Sequence, residues 1–185
     1  MDFLESSKNA LNKAVEMIDN GGVVIFPTDT VYGFLADAES KKAIERIYKI
    51  KKRPRSKPLP VFIKDIKMAK DLAEISEAHE KILKKYWPGK YTFILNRNDG
   101  KGTIALRVPK YKALNDLLKK VNKPLVQTSV NISGNPPLNV LVDIINNFDK
   151  QKNKPDLIVG VGNLPKRKPS AIIDLTNDKI KVLRK

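Results

Sequence analysis

The chain has 185 residues, no cysteine and a single histidine. Without cysteine there are no disulfides, no thiolate nucleophile and no zinc–sulfur centre. One histidine leaves no multi-histidine metal site, and a Ser–His–Asp triad would have to use His79. That residue lies in SEAHEKILKKYW, which reads as a surface helix, so it is expected to be solvated. Aromatic residues make up only 6% of the chain, too few to suggest the exposed stacking platforms of a single-strand RNA reader. No apolar run approaches the length of a membrane span, and the opening MDFLESSKNA has no signal-peptide pattern. The expected location is the cytoplasm, with no membrane partner. Acidic residues are outnumbered, 20 Asp+Glu against 36 Lys+Arg, for a net charge of +16.

Such an excess favours phosphate-rich partners. Lysine supplies most of it, and Asn and Ile are also frequent, which looks like a coding bias. The few arginines, at 46, 53, 55, 97, 107, 167 and 184, are more telling, because guanidinium grips phosphate and carboxylate bidentately. The hydrophobic content, 41%, is that of an ordinary globular protein. The length suits one domain, residues 1–185, with a real core.

The pattern alternates helix and strand without repeats. Ser6 or Ser7 caps a helix running to about Asp19, ended by Asn20-Gly21. Val23–Phe26 is a buried strand stopped by Pro27. Ser40 opens a helix through Ile50, closed before Pro54. Pro60–Ile63 is a short strand, followed by helices at Met68–Ala73 and Glu77–Tyr86 and a turn at Trp87-Pro88-Gly89. Tyr91–Leu95 and Thr103–Val108 read as paired strands across the loop Asn96–Gly102. A helix at Leu114–Val121, a strand at Leu125–Val130 and a helix at Leu138–Phe148 follow. Strands at Leu157–Val159, Ala171–Leu175 and Ile180–Leu183 close the chain. Strands arrive partly in consecutive runs, so the expected fold is α/β with α+β character: a twisted mixed sheet flanked by helices.

Polar clusters mark the element ends. GGVVIFPTDTVYG, residues 21–33, ends a buried strand in small hydroxyls and a carboxylate, the way α/β proteins build sites at strand ends. IKKRPRSKPLPVF holds Lys51, Arg53, Arg55 and Lys57 among prolines that stiffen the loop. In TIALRVP, Thr103, Ala105 and Arg107 share one strand face. An Arg in an apolar strand is costly unless it is paired or binds an anion. In QTSVNISGNPP, Thr128, Ser129, Asn131 and Ser133 follow an apolar strand, and Pro169-Ser170 precedes another.

In their order and spacing these segments resemble the YrdC-like, or TsaC-type, threonylcarbamoyl-AMP synthases of the short, single-domain class, from Gly21 to Arg184. The resemblance rests on GGVVIFPTDTVYG, Lys51-Lys52-Arg53-Pro54, KPL at 57–59, WPG at 87–89, Thr103 with Arg107-Val108-Pro109, TSVNISG, and the PS-x-I-x-DL pattern at 169–175. It implies a sheet around a concave basic cavity. It also implies synthesis of threonylcarbamoyl-AMP and pyrophosphate from ATP, L-threonine and bicarbonate, with magnesium on the triphosphate. A downstream transferase would pass the threonylcarbamoyl group to a tRNA adenosine. Thr30, Arg107, Ser129 and Ser170 match the threonine-binding set, with Arg107 on the amino-acid carboxylate. Arg53, Lys57, Thr103, Asn131, Asn139 and Arg184 match the ATP set. Lys51 matches a residue close to the phosphates and, with Arg53, a catalytic position; no metal ligand is implied. Phe62 stands where longer relatives carry a histidine that touches threonine, and the resemblance to the short class leads to the expectation of no linker or extra domain. Whatever closes the site is expected to come from this domain or a partner. Two other readings stay open: an RNA-binding module of the same fold, contacting tRNA or double-stranded RNA, and a paralogue with a different carbamoyl or adenylate substrate.

Overall fold

The computed structural model describes residues 1–177 and 179–185. In chain order the elements are β1 (Asp2–Glu5), α1 (Lys8–Asp19), β2 (Val24–Phe26), β3 (Gly33–Asp37), α2 (Lys41–Lys51), β4 (Val61–Phe62), α3 (Ile66–Leu72) and α4 (Glu77–Tyr86). They continue as β5 (Tyr91–Asn96), β6 (Thr103–Arg107), α5 (Lys112–Val121), β7 (Leu125–Ser129), α6 (Leu141–Phe148), β8 (Leu157–Gly160), β9 (Ala171–Asp174) and β10 (Lys181–Arg184). All ten strands join one sheet in the order β1-β8-β2-β3-β7-β4-β6-β5-β9-β10. Pairing is parallel at β1–β8, β8–β2, β4–β6 and β5–β9, and antiparallel elsewhere. The sheet is therefore mixed, as expected.

Helix starts follow local chemistry. The hydroxyls of Ser7, Ser40 and Ser76 and the carboxylate of Asp65 each accept the backbone N–H three residues on, satisfying a donor that the helix itself leaves free. Neighbouring strand residues bury in opposite directions. Val24, Phe26, Leu35 and Leu125 pack with Ala14 and Ile18 of α1 and Leu114, Leu117 and Leu118 of α5. Ile25, Phe34, Phe93 and Leu106 pack instead with α2, α3, α4 and α6, where Phe34 meets Phe148 edge-on at 5.2 Å. Helices thus cover both faces around β2 and β3. On β5 and β6, Phe93, Leu95 and Leu106 take the covered side. Thr92, Ile94, Ala105 and Arg107 line an open cleft on the other.

Four expectations need correction. β3 was not foreseen: GFLAD is buried along its whole length and reads in sequence as the exit of a turn. β1 at the N-terminus was not foreseen either; it pairs in parallel with β8 through long-range contacts that local patterning does not encode. α6 begins at Leu141, not Leu138, because Leu138 N–H donates to Val130 O and Asn139 O accepts the Leu164 N–H. His79 is half-buried, and its Nδ1 has no hydrogen-bond partner.

Candidate active site

The turn after β2 is organised by Thr28. Its Oγ1 donates to Val31 O at 2.6 Å and accepts Thr30 N–H at 3.1 Å and Val31 N–H at 3.2 Å. Thr30 Oγ1 lies 3.1 Å from the same hydroxyl. This ST-type turn frees the chain from the sheet and sets two side chains to work. Thr30 lines the cleft. Asp29 turns towards β6, and its carboxylate oxygens each lie 2.7 Å from Arg107 Nη2. Asp29 also accepts the Lys110 N–H at 3.1 Å, while Arg107 Nε donates to Gly89 O at 2.8 Å.

The pair is almost wholly buried, with side-chain exposures of 2% for Arg107 and 6% for Asp29. Burial lowers the pKa of the guanidinium from its ordinary value, and the Asp29 charge opposes that shift. The Phe62 ring lies 5.6 Å behind the guanidinium and belongs to the packing around α1 and α5. Arg107 was expected to clamp an amino-acid carboxylate with its two-pronged fork. Instead Nε and Nη2 are already used inside the protein. Among the described residues only Nη1 has no partner, and it leaves Arg107 one group to offer a ligand in the cleft.

The cleft, of about 270 Å³, also gathers Ser129, Ser170, Arg53 and Arg184. Ser170 Oγ lies 2.9 Å from Thr92 Oγ1. Arg184 reaches in from β10 and donates to Ser170 O through Nε at 2.9 Å and Nη2 at 2.7 Å. The β9–β10 register shifts between Val182 and Arg184, an irregularity that re-aims the side chain beyond it. Arg53 donates to Lys57 O at 2.9 Å and Pro58 O at 3.0 Å, which curls the proline loop around it. A larger, more apolar cavity of about 490 Å³ shares Pro58, Ile94 and Ala105 with the cleft and is lined further by Tyr48, Leu59, Ile104 and Thr103. Thr103 and Arg107 therefore sit at opposite ends of one trough along β6.

Four expected site residues line neither cavity. Lys51 is 1% exposed. Its Nζ donates to Ser129 O, and to Asn131 O and Asn131 Oδ1 at 2.9 Å each. Desolvation, and then the Arg53 charge, push this amine down to about 7, whereas three acceptors around it favour the ammonium. Asn131 is equally committed: Oδ1 accepts from Ser129 Oγ at 2.7 Å, and Nδ2 donates to Ile132 O and Asn135 O. Lys51 and Asn131 thus build the turn that presents Ser129 from behind the cleft. Asn139 Nδ2 donates to Leu164 O at 2.6 Å and ties down the loop before Ser170. Lys57 contributes its carbonyl, and its side chain is outside both cavities.

Sequence reasoning missed Asp29 as the partner of Arg107, although the costly strand arginine called for an anion. It also missed Thr92, whose alternation with Phe93 places it on the cleft side. Among the described residues no group of three or more His, Asp or Glu side chains converges as a metal site. Among the described residues no helix is long and apolar enough to cross a membrane.

The Sua5/YciO/YrdC family model, described as "Telomere recombination", matches residues 16–185. A threonylcarbamoyl-AMP synthase of Pyrococcus abyssi is 33% identical over 88% of this chain, which spans 50% of that enzyme's length. The structure of P. abyssi Sua5 complexed with L-threonine superposes with a TM-score of 0.89 at 30% identity, over 99% of this chain and 56% of that one. Escherichia coli YciO superposes with a TM-score of 0.87 at 28% identity, over 100% of this chain and 94% of its own. The chain thus spans about half of the P. abyssi enzyme and nearly all of YciO. Arrangement and likeness agree: the chain belongs to the Sua5/YciO/YrdC family.

Proposed function

We propose that this protein is a threonylcarbamoyl-AMP synthase that uses ATP, L-threonine and bicarbonate. The observation that carries the reading is the gathering of Thr30, Arg107, Ser129 and Ser170 in one cleft with Arg53 and Arg184. A relative of the same fold has been crystallised with L-threonine. Small hydroxyls and one free guanidinium nitrogen suit a small, polar amino acid. Arg53 and Arg184 suit the phosphates beside it. The apolar trough past Ala105, with Tyr48, Leu59 and Ile104, suits a nucleoside, and Thr103 offers it a hydroxyl.

The chemistry needs no covalent nucleophile. The threonine amine attacks the carbon of bicarbonate-derived carbon dioxide and loses a proton, giving a carbamate. A carbamate oxygen then attacks the α-phosphorus, and the bond to pyrophosphate breaks. Magnesium would travel with the triphosphate and neutralise its charge. The protein's part is orientation and charge stabilisation. A transferase acting on tRNA would consume the product.

The test is pyrophosphate release measured with and without each co-substrate. Release is expected only when ATP, L-threonine and bicarbonate are all present. Release from ATP alone, or none with all three, defeats the reading. The near-complete match to YciO and the internally paired Arg107 favour one alternative, a paralogue that loads a different amine. Release that L-threonine fails to stimulate and another amino acid does would establish it.

A further inference from the structure

A second cleft, of about 580 Å³, is lined by Asp29 where the first is lined by Thr30, and the two adjoin at Pro169. Lys85, Lys90, Lys110, Arg167 and Lys168 line it together with a single acid, Asp29. That carboxylate is already neutralised by Arg107 and the Lys110 N–H. Among the described residues none of the four lysines has a carboxylate partner. Elsewhere, lysines that stand beside acids pair with them: Lys13 with Glu16, Lys70 and Lys84 with Glu80, Lys112 with Asp116, and Lys123 with Asp37. Coding bias towards lysine explains many lysines; it does not explain five cations around one concavity whose only acid is spent.

The walls are fixed. Gly89 N–H donates to Val108 O at 2.9 Å, and a Cβ at Gly89 would meet Tyr86 O at 2.3 Å, so the turn is tightly packed. Ala171 N–H donates to Lys90 O at 2.9 Å, and Arg167 Nη1 donates to Asp29 O at 3.0 Å. Lys85, Lys90 and Lys110 therefore stand on backbone that is already held, and Arg167 is tied down by its side chain, which lowers the cost of gathering them around a ligand.

We propose that this cleft is a second anion site, separate from the cleft holding Thr30 and Arg107, and that it takes a short chain of linked phosphates. Four or five cations in this volume need an anion of comparable charge. A carboxylate or a single phosphate brings too little, and two or three linked phosphates bring enough. Such a group could be a free oligophosphate or the phosphate tail of a nucleotide. The inference does not depend on the proposed reaction, because binding is read without turnover.

The probe is inorganic tripolyphosphate, followed by calorimetry and by the fluorescence of Trp87, the single tryptophan, which adjoins the cleft through Tyr86 and Pro88. Arg53→Ala, which disarms the first cleft, should leave one tripolyphosphate site with affinity within about twofold of the parent. Adding Lys90→Gln, Lys110→Gln and Lys168→Gln should weaken that site at least tenfold, since three of its cations are then gone. These side chains are exposed, so the melting temperature should hold. If the triple variant does not fold, Lys168→Glu alone should still weaken binding several-fold. ATP competing at the remaining site assigns it to nucleotide tails; tripolyphosphate binding that ATP does not displace assigns it to free oligophosphate. Affinity unchanged by the lysine substitutions, or abolished by Arg53→Ala alone, overturns the proposal. So does an RNA oligonucleotide that binds at least tenfold tighter per phosphate through the same lysines, which would make the cleft a nucleic-acid surface.

Discussion

Arg107 and Asp29 show how one residue can be structural and available to a ligand at once. Nε and Nη2 of the guanidinium are held by Gly89 O and Asp29, Nη1 has no partner among the described residues, and the side chain lines the cleft. Removing one member of a buried pair strands the other charge, at a cost of about 3–5 kcal/mol. Asp29→Asn is therefore expected to lower the melting temperature by roughly 6–20 °C in a domain of this size. Asp29→Asn combined with Arg107→Met should recover part of the loss, because no buried charge is then left unpaired. Thermal melts of both variants check this; equal losses would mean that the two residues do not act as a pair. A strand arginine in the sequence announced the need for an anion, but not which one. Asp29 lies 78 positions away, a separation no local pattern bridges.

At the scale of elements, α2 meets β7 through Lys51, whose ammonium fastens the Ser129–Asn131 turn. Its folded value of about 7 lies below the ordinary 10.5. Between those values the unfolded chain binds the extra proton, so this residue makes stability rise with pH across that window. The slope it contributes is at most about 1.4 kcal/mol per pH unit. Denaturant unfolding from pH 7 to 9 should show a shallower rise for Lys51→Met than for the parent. An identical slope would mean that Lys51 keeps an ordinary pKa.

The proline loop after α2 gives a sharper contrast. Arg53→Ala is expected to weaken ATP binding about tenfold, the loss of a charge-assisted contact. Lys57→Ala should change it by less than threefold, because only its carbonyl supports the site. Calorimetric titration of both variants separates them, and equal losses would put the Lys57 side chain back on the phosphates.

Much at this scale was legible in the sequence. Ser40 and Ser76 announce their helices by capping chemistry, and the apolar run into Pro27 announces β2. β3 was hidden because five buried residues that open on a glycine have no alternation to betray a strand. Of the residues that the resemblance assigned to the site, Thr30, Arg53, Arg107, Ser129, Ser170 and Arg184 line the cleft, brought together from the turn after β2, the proline loop, β6, β7, the approach to β9, and β10. Lys51, Asn131 and Asn139 carry the same polar groups but turn them into the turns that hold it. Residue type alone does not distinguish a group that meets the ligand from one that holds the loop presenting it.

For the whole molecule, a net charge of +16 means that folding gathers like charges, and self-repulsion weakens the compact state. Raising ionic strength from about 0.01 M to 0.1 M shortens the screening length from about 30 Å to 10 Å. The melting temperature is therefore expected to rise with sodium chloride over this range. A fall would mean that attractive surface pairs such as Lys70–Glu80–Lys84 outweigh the general repulsion.

The sheet begins with β1 at one edge and finishes with β10 at the other. The two ends of the chain therefore belong to opposite edges of the sheet, and they are not equivalent handles. The N-terminal edge strand pairs with β8, and none of its residues lines the cleft. The C-terminal edge carries Arg184, whose guanidinium rests on Ser170. Tethering the protein to a bead, a surface or a fusion partner by its front end leaves the binding trough undisturbed. Tethering it by its tail loads the one strand whose pairing holds an arginine in place, so mechanical tension there would be felt directly as a change in ligand affinity.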